Sequence, residues 1–231
     1  MKKYVLTLIF LAAGCSAVLA QKKITMNVRT GQNVNEALSN SRFLFPEFQE
    51  VMLATKKGSG QARMNYNMLT GVMLFIGENG DTLALTNPDD IFSIRFGQSD
   101  FIHTSKGYVE VLATAGHIRL VVSRRIKPAT VKQYGAYGMT TSTAAIENAA
   151  VISDKATPDG LTINREITYA VVQTFYLQSG KSLGPVTEKN FQKNFGKNKD
   201  IISSYVKEHD LDLKQAAGLI RLFNFCAGEE D

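Results

Sequence analysis

The sequence predicts a mainly β, α+β fold: an antiparallel β-meander that forms a barrel-like or two-sheet domain, with two to three short C-terminal α-helices. Turn residues recur at short intervals over residues 22–127, and the segments between them alternate or are rich in apolar residues. Beyond residue 186 the apolar spacing changes to that of amphipathic helices. With 231 residues, 44% hydrophobic and 20% charged, the composition is that of a folded globular protein and excludes general disorder.

The first twenty residues have the pattern of an export signal. Lys2 and Lys3 precede an apolar run over residues 4–13, and small residues follow. This run is shorter than the roughly 20 apolar residues that a spanning helix needs, and no other stretch is long enough. We therefore expect a signal peptide over 1–20, a mature chain from Gln21 and no transmembrane segment.

Lipidation at Cys15 is the alternative to soluble export. Residues 11–15, Leu-Ala-Ala-Gly-Cys, are similar to a bacterial lipoprotein box. The residues after Cys15 stay apolar where a lipid tether is normally polar, which favours the soluble form. Soluble cleavage would leave Cys226 as the only cysteine, and we expect it to be a small core residue rather than a nucleophile.

Short strands are expected through residues 21–127, which we interpret as one antiparallel β domain. The expected strands cover residues 23–29, 50–55, 61–67, 72–76, 82–85, 91–96, 100–104, 108–113 and 117–126. Asn79-Gly80 lies between two of them and is typical of a type I′ turn, in which both residues have positive φ. Pro46 cannot donate a ladder hydrogen bond, so the residues before it should lie at an edge or a corner.

Residues 128–165 are poor in large apolar side chains, and we interpret them as a low-complexity loop or linker. A loop of this length is unusual in a compact domain, so the alternative is an unrecognised strand, for example near residues 161–163.

Residues 166–231 should contain one returning strand and the C-terminal helices, which pack on the β domain. Residues 167–178 are rich in β-branched and aromatic side chains and predict a buried strand. Thr187, Asn198 and Asp212 are good N-caps for three helices, and Gly196 should end the first of them.

Several short motifs of the mature chain resemble uncharacterised exported envelope proteins of Bacteroidetes. They are residues 45–48 (Phe-Pro-Glu-Phe), 66–71 (Tyr-Asn-Met-Leu-Thr-Gly), 80–85 (Gly-Asp-Thr-Leu-Ala-Leu), 88–91 (Pro-Asp-Asp-Ile), 106–110 (Lys-Gly-Tyr-Val-Glu), 124–127 (Arg-Arg-Ile-Lys) and 134–138 (Tyr-Gly-Ala-Tyr-Gly). The resemblance implies export and a bacterial envelope setting. It brings no established activity and no site residues.

The charge is unevenly distributed along the chain. Loss of Lys2 and Lys3 with the signal lowers the net charge from +5 to +3. Residues 101–135 then hold six basic side chains against Glu110 alone. Arg124, Arg125 and Lys127 could form a ligand-binding basic edge that meets lipid phosphate or an acidic glycan. The alternative is a solvated strand end whose charges deter edge pairing.

Motifs for catalysis, cofactors and metals are weak. Gly-x-Ser-x-Gly is absent, and Gly180-Lys181-Ser182 lacks the preceding glycine of a phosphate-binding loop. His103 and His117 could approach each other on neighbouring strands and bind zinc, but we favour two unrelated imidazoles. We expect no catalytic residue, no cofactor and no metal. We also expect no nucleic-acid partner, because the sequence lacks a platform of aromatic and basic residues.

Four carboxylates leave a hydrolase open as the alternative function. Two acids at a suitable separation can hydrolyse a glycosidic bond, and the candidates are Asp81, Asp89, Asp90 and Asp100. Turn formation already explains Asp81 and Asp89.

The sequence favours a non-enzymatic, envelope-associated binding or assembly protein, exported to the periplasm or outer membrane of a Gram-negative bacterium. Its partner would be an envelope protein, lipid phosphate or an acidic glycan. The alternative is a small hydrolase acting on glycan or cell wall. A third hypothesis is an oligomeric surface subunit built by strand exchange.

Overall fold

The computed structural model describes residues 25–29, 31–134, 140–144 and 166–228. Within them, the strands form a single antiparallel sheet that does not close, accompanied by a few short helices. The mainly β fold with C-terminal helices that the sequence predicts is therefore confirmed.

The sheet consists of two meandering runs of strands that pair through the first strand of each run, and the N-terminal strand pairs with the last strand of the second run. The strands are β1 (Thr25–Val28), β2 (Gln49–Thr55), β3 (Gly58–Asn67), β4 (Val72–Ile76), β5 (Thr82–Ala84), β6 (Ile91–Phe96), β7 (Ser99–Thr104), β8 (Gly107–Ala115), β9 (Ile118–Tyr134), β10 (Thr140–Ala144), β11 (Glu166–Ser179) and β12 (Ser182–Pro185). Their order is β1-β11-β9-β8-β7-β6-β2-β3-β4-β5, with β10 also on β9 and β12 also on β11. The helices are α1 (Val34–Ala37), α2 (Glu188–Phe195), α3 (Lys199–Glu208) and α4 (Ala216–Ala227).

The segment over 128–165 is not only a loop, which corrects the predicted organisation. β9 continues to Tyr134, and β10 pairs with it over Thr140–Ala144. Pro128 is tolerated inside β9 because the ladder with β11 shifts register there, between Thr168 and Tyr169. The strand considered near 161–163 lies outside the described residues, as do residues 1–20 with Cys15.

The first apolar cluster lies within the curl of the sheet. It joins strands that are distant in the sheet order, so the sheet must bend to bring them together. Its largest fully buried strand residues are Met64, Tyr66, Met73, Ile94, Phe101 and Tyr169. The β3–β4 turn meets β9, where the Ile126 N–H donates to the Met68 carbonyl at 2.9 Å.

The three C-terminal helices cover a second cluster on the same sheet. Ile118, Leu120 and Leu177 supply the strand side, and the helices supply the other side with Phe191, Ile202, Leu219, Leu222, Phe223 and Cys226. The helices therefore pack on the sheet through this cluster.

Two of the three predicted helix caps are confirmed. The Thr187 hydroxyl accepts from the Asn190 N–H at 3.2 Å, and the Asn198 side chain accepts from the Asp200 N–H at 2.8 Å. Gly196 ends α2 in the left-handed conformation at φ 68°. The prediction for Asp212 was wrong: its side chain accepts from the Lys214 N–H at 2.8 Å, and α4 begins only at Ala216.

The predicted type I′ turn at Asn79-Gly80 was also wrong. Gly80 has φ 84°, but Asn79 is not among the described non-glycine residues with positive φ. The Gly77 N–H donates to the Asp81 carbonyl at 2.8 Å, so the loop is longer than two residues and needs only one left-handed position.

A third, small cluster lies on the opposite face of β9. Leu120 and Ile126 face the two larger clusters, whereas Val121 points the other way, as strand alternation requires. Val121 packs with Ile102 and Val109, and Leu183 of β12 covers them. This contact holds the β11–β12 hairpin near the β7–β8 turn.

Candidate functional site

The structure places Arg124 inside the protein rather than on an exposed edge. Arg124 forms an ion pair with Glu110, and the two side chains are only 19% and 14% exposed. Glu110 also accepts from the Ser99 hydroxyl at 2.8 Å. Burial lowers the pKa of Arg124, although the nearby Tyr66 opposes that shift. The charge of Arg124 is therefore neutralised by Glu110 within the fold.

Arg125 is also engaged internally. Its guanidinium lies against Gly71, in space that a side chain at that position would occupy. It also hydrogen-bonds to Tyr66, which opposes the rise in the Tyr66 pKa that burial causes. Only Lys127 of the predicted trio is exposed. The structure therefore does not bring the three residues together as one exposed basic edge, and their role in binding stays a prediction.

The four carboxylates considered for hydrolysis do not share one arrangement. Asp100 makes a two-pronged contact with Arg95 at 2.7 and 2.8 Å, and Asp90 binds Lys56 at 3.0 Å. Asp89 is 92% exposed, and Asp81 is exposed in the β4–β5 loop. None of the four is an enclosed acid of the kind that donates a proton at neutral pH.

The two histidines considered for zinc lie at opposite ends of β8. His103 pairs with Tyr108 at its start, whereas His117 follows its last residue, Ala115. The intervening strand spans roughly 25 Å, so the proposed approach was wrong. Among the described residues, no group of three or more His, Cys, Asp or Glu side chains is placed to hold a metal ion.

Cys226 is a core residue, as expected. Its side chain is 4% exposed in the helical cluster. Burial raises the pKa of its thiol to about 11, despite the opposing charge of Lys197. The thiol is therefore protonated at neutral pH and is a poor nucleophile.

Three hairpin turns and one short helical turn surround a cavity of about 690 Å³, which we call the turn cavity. Small-molecule sites commonly have volumes of roughly 300–1,000 Å³. The β2–β3 turn, the turn over Pro88–Asp90, the β7–β8 turn and the β11–β12 hairpin supply its lining: Lys56, Asp89, His103, Thr104, Ser105, Gln178, Gly180, Lys181 and Leu183.

Some polar groups of the turn cavity are already occupied. Lys56 binds Asp90, and the Thr104 hydroxyl donates to the Gly107 carbonyl at 3.0 Å. The His103 ring packs on Tyr108, with 5.0 Å between ring centroids, and its Nδ1 lies 3.7 Å from the Asp89 carboxylate. These contacts fix the lining without filling the space.

Two side chains of the cavity are free to meet a ligand, and a third carries an unsatisfied acceptor. The side chains of Ser105 and Lys181 are exposed and have no hydrogen-bond or ion-pair partner among the described residues. The Gln178 Oε1 atom is buried and likewise lacks a partner in the described part of the chain. A buried acceptor without a donor costs about 1–3 kcal/mol, so this amide gains from any donor it can reach.

Asp89, His103 and Ser105 are the residue types of a hydrolytic triad, but their geometry is not that of one. The described residues include no hydrogen bond between Ser105 and His103, and Asp89 points largely into solvent. An active serine needs the base within hydrogen-bond reach and a third group that orients the base. The arrangement is better suited to binding than to nucleophilic attack.

Little in the sequence indicates this cavity, because its residues come from turns that are far apart along the chain. The one local signal was Gly180-Lys181-Ser182, which fails as a phosphate-binding loop but places a lysine at the tip of a hairpin. Only the curl of the sheet and the Leu183 contact bring that lysine near the β7–β8 turn.

Comparison of the chain with protein-family models, curated proteins and solved structures finds no match. Of the helices that the structure describes, none has the length and apolar character needed to cross a bilayer.

Proposed function

We propose that the chain is a non-enzymatic binding protein of the bacterial cell envelope, periplasmic or outer-membrane-associated, and that it holds a small hydrophilic ligand in the turn cavity. The observation that carries this proposal is the cavity of about 690 Å³ with unpartnered polar side chains, Ser105 and Lys181, in its wall. Rigid strands anchor each of the contributing turns, as is common for binding loops.

Binding is favoured over hydrolysis by the state of the acids. Asp90 and Asp100 are neutralised by bases, and Asp89 is open to water. A glycosidase needs one protonated acid and one carboxylate on either side of the scissile bond, and the four acids do not provide that pair.

A substitution that fills the cavity tests the proposal. Ser105→Trp places a large side chain in the lining, whereas Gln98→Trp places the same side chain in the exposed β6–β7 turn, away from the cavity. The proteins are dialysed against a pool of soluble envelope saccharides, and retained material is identified by mass spectrometry. We expect retention by the wild type and Gln98→Trp but not by Ser105→Trp.

Two outcomes would contradict this proposal. Retention of the same saccharide by Ser105→Trp would place the site elsewhere. Recovery of the saccharide in cleaved form would instead support the hydrolase.

The envelope location rests on the first twenty residues and has its own test. The intact mass of the protein isolated from its native cells should correspond to a chain that begins at Gln21. The mass of a diacylated or triacylated chain that begins at Cys15 would show that the protein is a lipoprotein and not the soluble form. The mass of an uncleaved chain would contradict export.

A further inference from the structure

We infer that the ligand of the turn cavity is an acidic sugar: a carbohydrate ring that carries hydroxyl groups and a carboxylate, with Lys181 as the partner of the carboxylate. This inference rests on the proposed function and names the ligand class of the same site. Its basis is the mixture of charges, donors and acceptors around the cavity.

Lys181 is the cation that is available to a ligand. Lys56 shares its charge with Asp90, and His103 faces Asp89. Lys181 lies in the β11–β12 turn beside Gly180, whose φ of 57° forms the tight corner. Its ammonium has no carboxylate partner in the described part of the chain, so an anionic group in the cavity would meet an uncompensated positive charge.

Asp89 argues against a simple anion as the ligand. Its carboxylate lines the same cavity and is 92% exposed. A simple anion such as acetate has no donor to offer this carboxylate, whereas a hydroxyl-bearing ligand can donate hydrogen bonds to it. One molecule that satisfies both Asp89 and Lys181 carries hydrogen-bond donors and a negative charge at different positions, as an acidic sugar does.

The remaining walls fit the rest of such a molecule. Ser105 can donate and accept, and a hydroxyl could satisfy the Gln178 Oε1 atom once the amide turns toward the cavity. Leu183 is half-buried and supplies an apolar surface on which the C–H face of a sugar ring can pack. The cavity volume leaves room for more than one ring.

The test compares a panel of hexuronate-containing disaccharides with their carboxyl-reduced counterparts, and with inorganic phosphate, by titration calorimetry on the full chain. Reduction converts the carboxylate into a neutral hydroxymethyl group and leaves the ring unchanged. We expect at least one acidic disaccharide to bind about tenfold or more tightly than its reduced form.

Lys181→Gln should abolish that preference without weakening the reduced form. Lys106→Gln is the matched control, because Lys106 is an exposed lysine of the β7–β8 turn that does not line the cavity. It should leave the preference for the acidic disaccharide unchanged.

Several results would overturn the inference. Equal binding of acidic and reduced disaccharides, lost in Ser105→Trp, would leave the proposed function standing but remove the acidic group from it. Phosphate binding as tight as that of the acidic disaccharide would show that a simple anion suffices. Failure of every panel member to bind would exclude the ligand class, and the saccharide-pool experiment would then decide separately whether the cavity binds another saccharide.

Discussion

Because Gly71 has no side chain, the β3–β4 turn can lie against Arg125 of β9. It lies in the β3–β4 turn with φ 76°, and the Arg125 guanidinium occupies the space next to its α-carbon. Arg125 in turn hydrogen-bonds to Tyr66, whose side chain is fully buried in the first apolar cluster. An arginine that resembles a surface binding group in the sequence is thus part of the packing.

Gly71→Ala should lower the free energy of unfolding by about 2–4 kcal/mol. A left-handed residue with a Cβ costs about 1–2 kcal/mol, and displacement of Arg125 would leave the Tyr66 hydroxyl without its partner. Urea denaturation measures the loss. Gly80→Ala is the control, because Gly80 has a similar φ of 84° but open space around it; an equal loss in both variants would contradict the role of Arg125.

The buried thiol of Cys226 gives a prediction about pH. Its pKa of about 11 in the folded protein lies above the ordinary value of 9.0. Folding therefore favours the protonated thiol, and this contribution is complete below pH 9 and is lost as the pH rises toward 11. We expect the difference in unfolding free energy between the wild type and Cys226→Ala to shrink over that interval. A difference that stays constant from pH 8 to 11 would contradict the raised pKa.

At the scale of single elements, the helix ends show what local sequence can and cannot predict. The caps at Thr187 and Asn198 involve residues two or three positions away, so short-range chemistry was enough to identify them. Asp212 has the same capping chemistry but uses it in a turn before α4. The difference is tertiary, because the Asp212 backbone lies against Gly218 of the helix.

Gly218→Ala should destabilise the protein, although the same change usually stabilises a helix interior by about 1 kcal/mol. A methyl group at this position would overlap the Asp212 carbonyl, which is backbone and cannot move aside cheaply. Thermal unfolding of Gly218→Ala measures the effect. Ala217→Gly, an exposed neighbour, should cost about 1 kcal/mol through propensity alone, and a stabilised Gly218→Ala variant would contradict the close contact.

At the scale of the whole molecule, one face of β9 carries two apolar clusters with a polar pair between them. Leu120 belongs to the helical cluster and Ile126 to the cluster inside the curl. Arg124 lies between them on the same face, and Glu110 from β8 meets it there. The ion pair thus occupies the boundary between the parts of the core that the helices and the curled sheet cover.

Glu110→Gln should cost about 2–4 kcal/mol of unfolding free energy, because it leaves the largely buried Arg124 without a counter-charge. Asp100→Asn removes an acid from the neighbouring strand, where the Arg95–Asp100 pair is solvent-exposed, and should change stability little. Equal losses in the two variants, measured by urea denaturation, would contradict a structural role for the Glu110–Arg124 pair.

The sequence was sufficient for the fold class and for most strands, because turn residues and apolar spacing are local signals. It did not reveal which charges are available to a ligand. The charge of Arg124 is neutralised by Glu110 once β8 and β9 pair. Arg125 lies against Gly71, which is remote in sequence and meets it only when the sheet curls. The turn cavity was hidden for the same reason, since distant hairpins share it.

The most direct test of the turn cavity is a map of backbone amide shifts by NMR during titration with the tightest-binding acidic disaccharide. The largest changes should fall on the cavity residues of the β2–β3 turn, the β7–β8 turn and the β11–β12 hairpin, including Lys56, Ser105 and Lys181. They should vanish in Ser105→Trp. Changes centred on Lys127 and the neighbouring part of β9, with these turns unaffected, would contradict binding in the turn cavity. They would instead support binding at the basic residues of β9.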